Sequence, residues 1–302
     1  MNFEKMYSTI DTHVVGEAFR IVIQAPIAFL GSDILLNNDV LKNNFENAKK
    51  LLLNEPRGHR GINGCVVTPS YVADFGLLFF NHEKVSNFKY EGLFATVTAL
   101  IETGNLERNA NDIYKVETVR GVYTLKLQIE NQEVVSVYME SGICSEKKSD
   151  FDYASINVDN ARNYLLYNLP HSIPTIDLQY LAELNRWGTE KIANLINDNV
   201  DFEGIILVES SPEYPNKVRS VTFEKDGYIL RSPGIDSTFA ILSSLSTNSE
   251  IENNSIFGSS LTAKKLSKGE HQFSIEAQAF VTGAHEFIFD EDDPLRNGFL
   301  LV

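Results

Sequence analysis

The sequence predicts a mixed α+β fold, built mainly from antiparallel strands and divided between two domains. At 302 residues the chain exceeds the usual size of one hydrophobic core, and its 43% hydrophobic and 11% aromatic residues are enough to fill two. Stretches in which β-branched and aromatic residues alternate with polar ones outnumber stretches with helical spacing. We therefore expect a few helices placed between groups of strands.

Alternation and β-branched content predict seven strands, over residues 18–23, 76–81, 123–128, 134–139, 204–209, 218–223 and 279–289. Apolar spacing predicts helices over residues 40–53 and 179–198, and residues 92–104 form a third helix-like run. Each half of the chain contains a strand, then a turn, then a helix opened by small or polar residues. This repetition indicates two similar domains. The charged, aperiodic segment 145–152 predicts the crossing between them.

The charge balance limits the partners of the chain. With 41 acidic against 26 basic residues, the net charge of −15 opposes binding to nucleic acid or to an anionic membrane surface. No apolar run approaches the roughly 20 residues that span a bilayer, and the N-terminus lacks the basic and apolar segments of a signal peptide. We therefore predict a cytoplasmic protein.

The cysteines and histidines predict neither a disulfide framework nor a metal site. Cys65 and Cys144 lack the paired spacing of zinc ligands, and each is interpreted as a small buried hydrophobic residue. His13 and His285 have no second ligand two to four residues away, so we predict that no metal is bound.

Four motifs carry a family resemblance. Residues 54–59 (NEPRGH) follow a helix-like stretch, and their proline and glycine end that helix and turn the chain. Residues 10–20 contain IDTH, Gly16-Glu17 and Arg20, and the tail contains VTGAH at 281–285 and DDPLRNGFLL at 292–301. In this order and spacing, the motifs resemble the proline racemase family, which includes 4-hydroxyproline epimerases and trans-3-hydroxyproline dehydratases. The resemblance runs from Thr9 to Leu301.

The resemblance implies the two-domain fold of the diaminopimelate epimerase type, with pseudo-symmetric halves and an active site in the cleft between them. Residues 1–144 with the returning tail 278–302 would form the first domain, and residues 145–277 the second. Two helix N-termini would bind the carboxylate of a small amino or imino acid, because free amides and the helix dipole attract anions. The family uses no cofactor, and the likeness also implies a homodimer.

The chain departs from the family pattern at both catalytic positions. A Met-Cys-Gly-His pattern aligns with residues 88–91 (FKYE), so that Lys89 replaces the first cysteine and Glu91 a histidine. An Asp-Arg-Ser-Pro-Cys-Gly-Thr-Gly-Thr pattern aligns with residues 230–238, so that Gly234 replaces the second cysteine and Leu230 an aspartate. Racemisation by two thiols is therefore not expected.

Lys89 and Glu91 are the predicted catalytic residues. Lys89 is either a general base or a Schiff-base nucleophile facing an apolar wall of Tyr90 and Leu230, or a solvated loop lysine. Glu91 is an acid, an amine anchor or a helix cap, and Asp236 is interpreted mainly as a cap. The resemblance places seven residues at the substrate: His59, Tyr90, Gly92, Gly234, Ile235, Asp236 and Ser237.

Two functions remain open on the sequence. The first is a cofactor-free enzyme that transfers a proton at the α-carbon of a small amino or imino acid, as an epimerase, isomerase or dehydratase with non-standard acid/base residues. The second is a catalytically inactive family member that binds a small ligand or a protein partner, since a fold reports less on activity than its site does.

Overall fold

The structure is a computed structural model that describes residues 5–85, 88–147, 152–211, 213–245, 247–266 and 272–301. The chain divides into two compact units, Met1–Tyr138 with Gln278–Val302, and Met139–Ala277. The change of unit falls inside a strand, between residues 138 and 139, and thus before the charged segment 145–152 that the sequence indicated. Residues 148–151 of that segment lie outside the described residues.

Among its described residues, the first unit contains three helices, seven strands that begin in it, and the C-terminal strand. In chain order these are β1 (Lys5–Val14), β2 (Glu17–Gln24), α1 (Ile34–Asn44), α2 (Glu46–Leu53), β3 (Ile62–Thr68), β4 (Phe75–Phe80), α3 (Tyr90–Glu102), β5 (Ile113–Thr118), β6 (Gly121–Glu130) and β7 (Glu133–Lys147), with the last strand (Ala279–Phe289) paired antiparallel to β1. The predicted helix over 40–53 is two helices, because the chain breaks at Phe45, whose φ and ψ are −107° and 1°.

The second unit repeats this order. It contains β8 (Ala154–Val158), β9 (Arg162–Asn168), a 3-10 turn (Leu178–Tyr180), α4 (Leu181–Asn197), β10 (Gly204–Ser211), β11 (Tyr214–Glu224), α5 (Ile235–Ser244), β12 (Glu250–Ser255), β13 (Ser260–Lys265) and β14 (Gln272–Ala277). The strand Ala279–Phe289 of the first unit is β15. The mixed composition confirms the α+β class, and all seven predicted strands overlap observed ones.

The pairing of the strands is the same in both units. An antiparallel pair (β1–β2, β8–β9) is followed by a parallel crossover that carries a helix (β2–β3, β9–β10), and then by an antiparallel hairpin (β3–β4, β10–β11). A second helix then leads to a parallel partner (β4–β5, β11–β12) and a further hairpin. In the second unit β14 also pairs with β7, which closes the strands into a ring.

The second helix of each repeat, α3 or α5, is buried along most of its length. Eleven consecutive residues of α3, Tyr90 to Leu100, and eight of α5, Ile235 to Leu242, are buried. A helix that is apolar on all sides belongs inside a core. The crossover helices instead cover the outer face, where α2 packs on Leu78 and Phe80, and α4 on Leu207 and Phe223. No described helix has both the length and the hydropathy to cross a membrane.

Within the first unit, the motif at residues 54–59 binds the C-terminal tail. Arg57 donates through Nη2 to the carbonyl oxygens of Leu295 and Arg296, at 2.7 and 2.9 Å. Buried Arg20 donates to the carbonyl oxygens of Leu52 and Arg57 and makes a bidentate pair with Asp11 at 2.7 and 2.9 Å. Arg57 therefore holds the tail, and Arg20 in turn binds the backbone of Arg57 and the end of α2.

Candidate functional site

Lys89 is buried at the start of α3. It is the N-cap residue in an extended conformation, with φ −136° and ψ 132°, and only 8% of it is exposed. Its Nζ lies 3.1 Å from Oε1 of Glu17. The interpretation as a solvated loop lysine is therefore wrong. The ammonium of Lys89 faces a carboxylate, and the apolar wall expected from Tyr90 and Leu230 stays a prediction.

Glu17 is the buried partner of Lys89. It begins β2 after a turn in which Val15 and Gly16 have positive φ angles, and it is 1% exposed. Oε1 also accepts a hydrogen bond from Nδ2 of Asn63 on β3, at 2.9 Å. A buried carboxylate requires a paired charge and hydrogen-bond donors, and both are present here. The sequence carries Glu17 within a family motif but gives no sign of its partner, which lies 72 positions away.

Tyr90 and Gly92 serve packing at the same helix start. Tyr90 is fully buried, and its ring packs edge-on against Phe88 and Tyr123, with centroids 5.0 and 5.7 Å away. A Cβ on Gly92 would lie 2.6 Å from Cε1 of Phe79, so only glycine lets the helix approach the sheet this closely. The side chain of Tyr90 is thus part of the core, and only backbone groups of these two positions could reach a ligand.

Glu91 lies in the first turn of α3 and is 4% exposed. A negative charge at this position is favourable beside the positive end of the helix dipole. N-cap residue Lys89 makes no side-chain capping hydrogen bond. The choice between acid, amine anchor and helix cap for Glu91 stays a prediction.

Gly234 is the N-cap residue of α5 and has no side chain that could transfer a proton. Its φ of 75° with ψ of 126° is a conformation that residues with a Cβ rarely adopt. A Cβ at this position would lie 3.0 Å from Oγ of Ser237 and 3.1 Å from Cδ1 of Leu230. The backbone N–H of Gly234 donates to Oγ of Ser232 at 3.1 Å. The backbone itself therefore selects glycine here.

The polar residues after Gly234 make hydrogen bonds within the second unit that fix the start of α5. Oγ of Ser237 lies 2.8 Å from Oγ1 of Thr222, and Oγ1 of Thr238 donates to the carbonyl oxygen of Gly234 at 2.7 Å. Both side chains, and that of Ile235, are fully buried. These contacts fix the first turn of α5 but leave Ile235 and Ser237 no exposed side chain.

Asp236 forms an ion pair where the sequence favoured a helix cap. α5 has no side-chain capping hydrogen bond, and Oδ2 of Asp236 accepts from Nη1 of Arg162 and, at 3.0 Å, from the hydroxyl of Tyr164. Arg162 also pairs with Asp159 at 2.8 Å. Burial raises the pKa of the Asp236 carboxyl, and Asp159 adds to the rise while Arg162 opposes it. Sequence reasoning missed Arg162 and Tyr164, because each meets Asp236 only through the pairing of β9 with its neighbours.

His59 is exposed, and its ring Nδ1 accepts a hydrogen bond from the backbone N–H of Gly61 at 3.1 Å.

The two cysteines are buried on strands. Burial raises the pKa of Cys65 on β3 to about 12, and it also raises the pKa of Cys144 on β7. Neither cysteine lies at a helix start. Within the described residues, no cluster of three or more His, Cys, Asp or Glu side chains could hold a metal ion.

Known proteins resemble this chain over its whole length. The proline racemase family profile matches residues 9–300. A trans-3-hydroxy-L-proline dehydratase of Bacillus cereus is 28% identical, with all of both chains aligned. A proline racemase of Acetoanaerobium sticklandii is 25% identical over 99% of each chain.

Solved structures show the same fold. A hydroxyproline epimerase of Agrobacterium vitis, solved with trans-4-hydroxy-L-proline bound, superposes with a TM-score of 0.82 at 18% identity, and covers 100% of this chain and 96% of its own. A phenazine biosynthesis protein of the PhzF family from Bacillus anthracis reaches 0.62 at 13% identity, over 93% and 98% of the two chains. The family profile matches most of the chain, and the two repeated α+β units agree with that match, with helix starts at Lys89 and Gly234. The match over residues 9–300 shows that the chain belongs to the proline racemase family.

Proposed function

We propose that the chain removes the α-proton of a small amino or imino acid from one face only, with Lys89 as the base. The observation that carries the proposal is the asymmetry of the two helix starts. Lys89 supplies a buried amine at α3, whereas Gly234 supplies no side chain at α5. Racemisation by two bases needs a proton-transfer group on each face of the α-carbon, so a one-sided reaction fits these residues better.

Glu17 makes the lysine usable as a base. A lysine ammonium is protonated at neutral pH and cannot accept a proton. Lys89 must therefore give up one proton before the reaction, and Oε1 of Glu17, 3.1 Å from Nζ, is positioned to accept it. The amine then accepts the α-proton, while free amides at the helix start bind the substrate carboxylate. Glu91 would hold the substrate amine or act as the partner acid.

The reaction we propose is loss of water from a β-hydroxy imino acid such as trans-3-hydroxy-L-proline, the substrate in the name of the Bacillus cereus relative. Lys89 takes the α-proton, and the electron pair of that C–H bond forms the Cα–Cβ double bond as the C–O bond breaks. The hydroxyl leaves as water with the proton that Lys89 gained. The lysine returns to its starting state, and no oxidant or cofactor is consumed.

The test measures product formation from trans-3-hydroxy-L-proline by wild type, Lys89→Met, Glu17→Gln and Lys49→Met. Lys49 is a matched control, because it is a lysine of similar burial that pairs with Glu46 at 2.9 Å on α2. We expect Lys89→Met and Glu17→Gln to lose activity by about a hundredfold or more, the scale of general-base catalysis, and Lys49→Met to retain it. Full activity in Lys89→Met would refute the assignment.

A second candidate function is ligand binding without turnover. The observation that favours it is the same ion pair, since a Lys89 ammonium held by Glu17 is a good anchor for a carboxylate. Calorimetry that shows imino-acid binding, together with no product and no α-deuterium exchange, would select this alternative.

We also propose that the protein is a cytoplasmic homodimer, with domains close to residues 1–144 plus 278–302 and 145–277. The family likeness supports the homodimer and the domains. The net charge of −15, which opposes binding to an anionic membrane, supports the cytoplasmic location. Light scattering at twice the mass of one chain would agree with it, and a monomer at micromolar concentration would contradict it.

A further inference from the structure

The second unit contains a polar cavity of about 630 Å³ on the outer face of β10, β11 and β12. The segment 175–177, which precedes α4, forms one wall. None of the described residues of α5 lines it, so it is separate from the helix start at Gly234. Its polar lining includes Asp177, Glu209, Tyr214, Lys217, Arg219 and Glu252.

The strand register places opposite charges side by side on the cavity floor. Glu209 on β10 is directly opposite Arg219 on β11, and Lys217 on β11 is opposite Glu252 on β12. Residues at alternate positions of a strand point to one face, so Lys217 and Arg219 lie on the same face of β11. The floor therefore presents two carboxylates and two cations in neighbouring rows.

The two pairs differ in which hydrogen-bonding atoms remain available to a ligand. Lys217 and Glu252 bind each other at 2.9 Å. Glu209 and Arg219 are instead both held by the wall: Oε2 of Glu209 accepts from Oγ1 of Thr175 at 2.8 Å, and Nη1 of Arg219 donates to the carbonyl oxygen of Ile176 at 3.2 Å. Among the described residues, Oε1 of Glu209 and Nε and Nη2 of Arg219 make no hydrogen bond. The carboxylate oxygen Oε1 of Glu209 is thus an available acceptor beside the two available N–H donors of Arg219, Nε and Nη2.

We propose that this cavity binds a free α-amino acid with an aromatic side chain. The carboxylate lies on Nε and Nη2 of Arg219 in the bidentate geometry that guanidinium favours, and the ammonium lies on Oε1 of Glu209. An α-amino acid carries both charges on one carbon, which matches residues opposite each other on strands about 5 Å apart. The proposal does not rest on the reaction proposed for Lys89.

The size and the remaining lining select the side chain of the ligand. A volume of 630 Å³ corresponds to about 20 water molecules, far more than a ring the size of proline displaces. Tyr214, which is 59% exposed, and Ile256 supply apolar surface at the cavity. An aromatic ring would stack on the Tyr214 ring at a centroid distance of about 4.5–7 Å.

The test is calorimetric titration of the full chain with three probes: L-phenylalanine, 3-phenylpropionate, which lacks the amine, and 2-phenylethylamine, which lacks the carboxylate. We expect L-phenylalanine to bind, and to bind about tenfold to a hundredfold more tightly than either analogue, as charge-assisted hydrogen bonds require. No binding of L-phenylalanine at millimolar concentration, or equal binding of 3-phenylpropionate, would overturn the proposal.

Variants locate the site. Arg219→Gln and Glu209→Gln should each weaken L-phenylalanine by about tenfold or more, and Arg219→Lys by less, since it keeps the charge but loses the fork. Lys264→Gln is the matched control, because Lys264 makes an exposed ion pair with Glu250 at 3.1 Å outside the cavity. Unchanged affinity in a folded Arg219→Gln variant, or an equal loss of affinity in Lys264→Gln, would refute the assignment of the cavity.

Discussion

Removing either partner of the Lys89–Glu17 pair should destabilise the first unit by much more than removing both. The side chains are 10% and 1% exposed, and their charged atoms lie 3.1 Å apart. Loss of one partner from a buried pair costs about 3–5 kcal/mol, because the other charge stays buried without compensation. We expect about 3 kcal/mol for Glu17→Gln, whose amide oxygen can still accept from Asn63, and a similar loss for Lys89→Met.

The double variant removes both charges, so the loss of hydrogen bonds is the only destabilising effect that remains. Its free energy of unfolding should therefore fall by about 1–2 kcal/mol. Urea unfolding measures the three free energies, and melting curves should show each single variant lower by roughly 6–12 °C. Additive losses in the double variant would show that the two side chains do not form a buried pair. An unchanged melting temperature in Lys89→Met would show the same for the lysine alone.

Three further predictions follow from the site. Gly234→Cys should cost about 1–3 kcal/mol in urea unfolding, because of the positive φ angle, and should not produce racemisation; a stable racemase would contradict this. Because burial raises the pKa of Asp236 in the folded protein, the stability that its protonation contributes is present below the unfolded-state pKa and is lost as pH rises through the folded-state pKa. The stability of Asp236→Asn relative to wild type should therefore increase as pH rises above about 4, and a decrease would mean that Arg162 outweighs burial. Iodoacetamide should leave native Cys65 and Cys144 unmodified by mass spectrometry at neutral pH, and rapid labelling of either would contradict their burial.

The fold was accessible from the sequence because its strongest strands are apolar and β-branched. β4 (FGLLFF) and β10 (GIILVESS) bury continuous apolar side chains, which is a pattern that sequence reasoning detects. β12 (EIENNS) and β13 (SLTAKK) were missed, since their exposed faces carry asparagine, glutamate and lysine, which have low strand propensity. These strands are fixed by their neighbours in the ring.

The positions of the helix starts were also accessible, whereas their electrostatic partners were not. Lys89 and Gly234 could be aligned with a family motif, and both begin helices as expected. Glu17 meets Lys89 across 72 positions, and Arg162 meets Asp236 across 74. Such pairs depend on which strands lie beside a helix, and a single sequence does not encode that contact locally. The same reason explains why Asp236 looked like a helix cap.

The most direct test of one-sided proton transfer is the stereochemistry of α-deuterium exchange in D₂O. trans-4-Hydroxy-L-proline is a suitable probe, because it has no hydroxyl on the β-carbon to eliminate. We predict that wild type incorporates deuterium at the α-carbon with the L configuration retained, and that Lys89→Met does not. Formation of the D epimer would show a second proton-transfer group opposite Lys89, and exchange in Lys89→Met would remove the lysine from the chemistry.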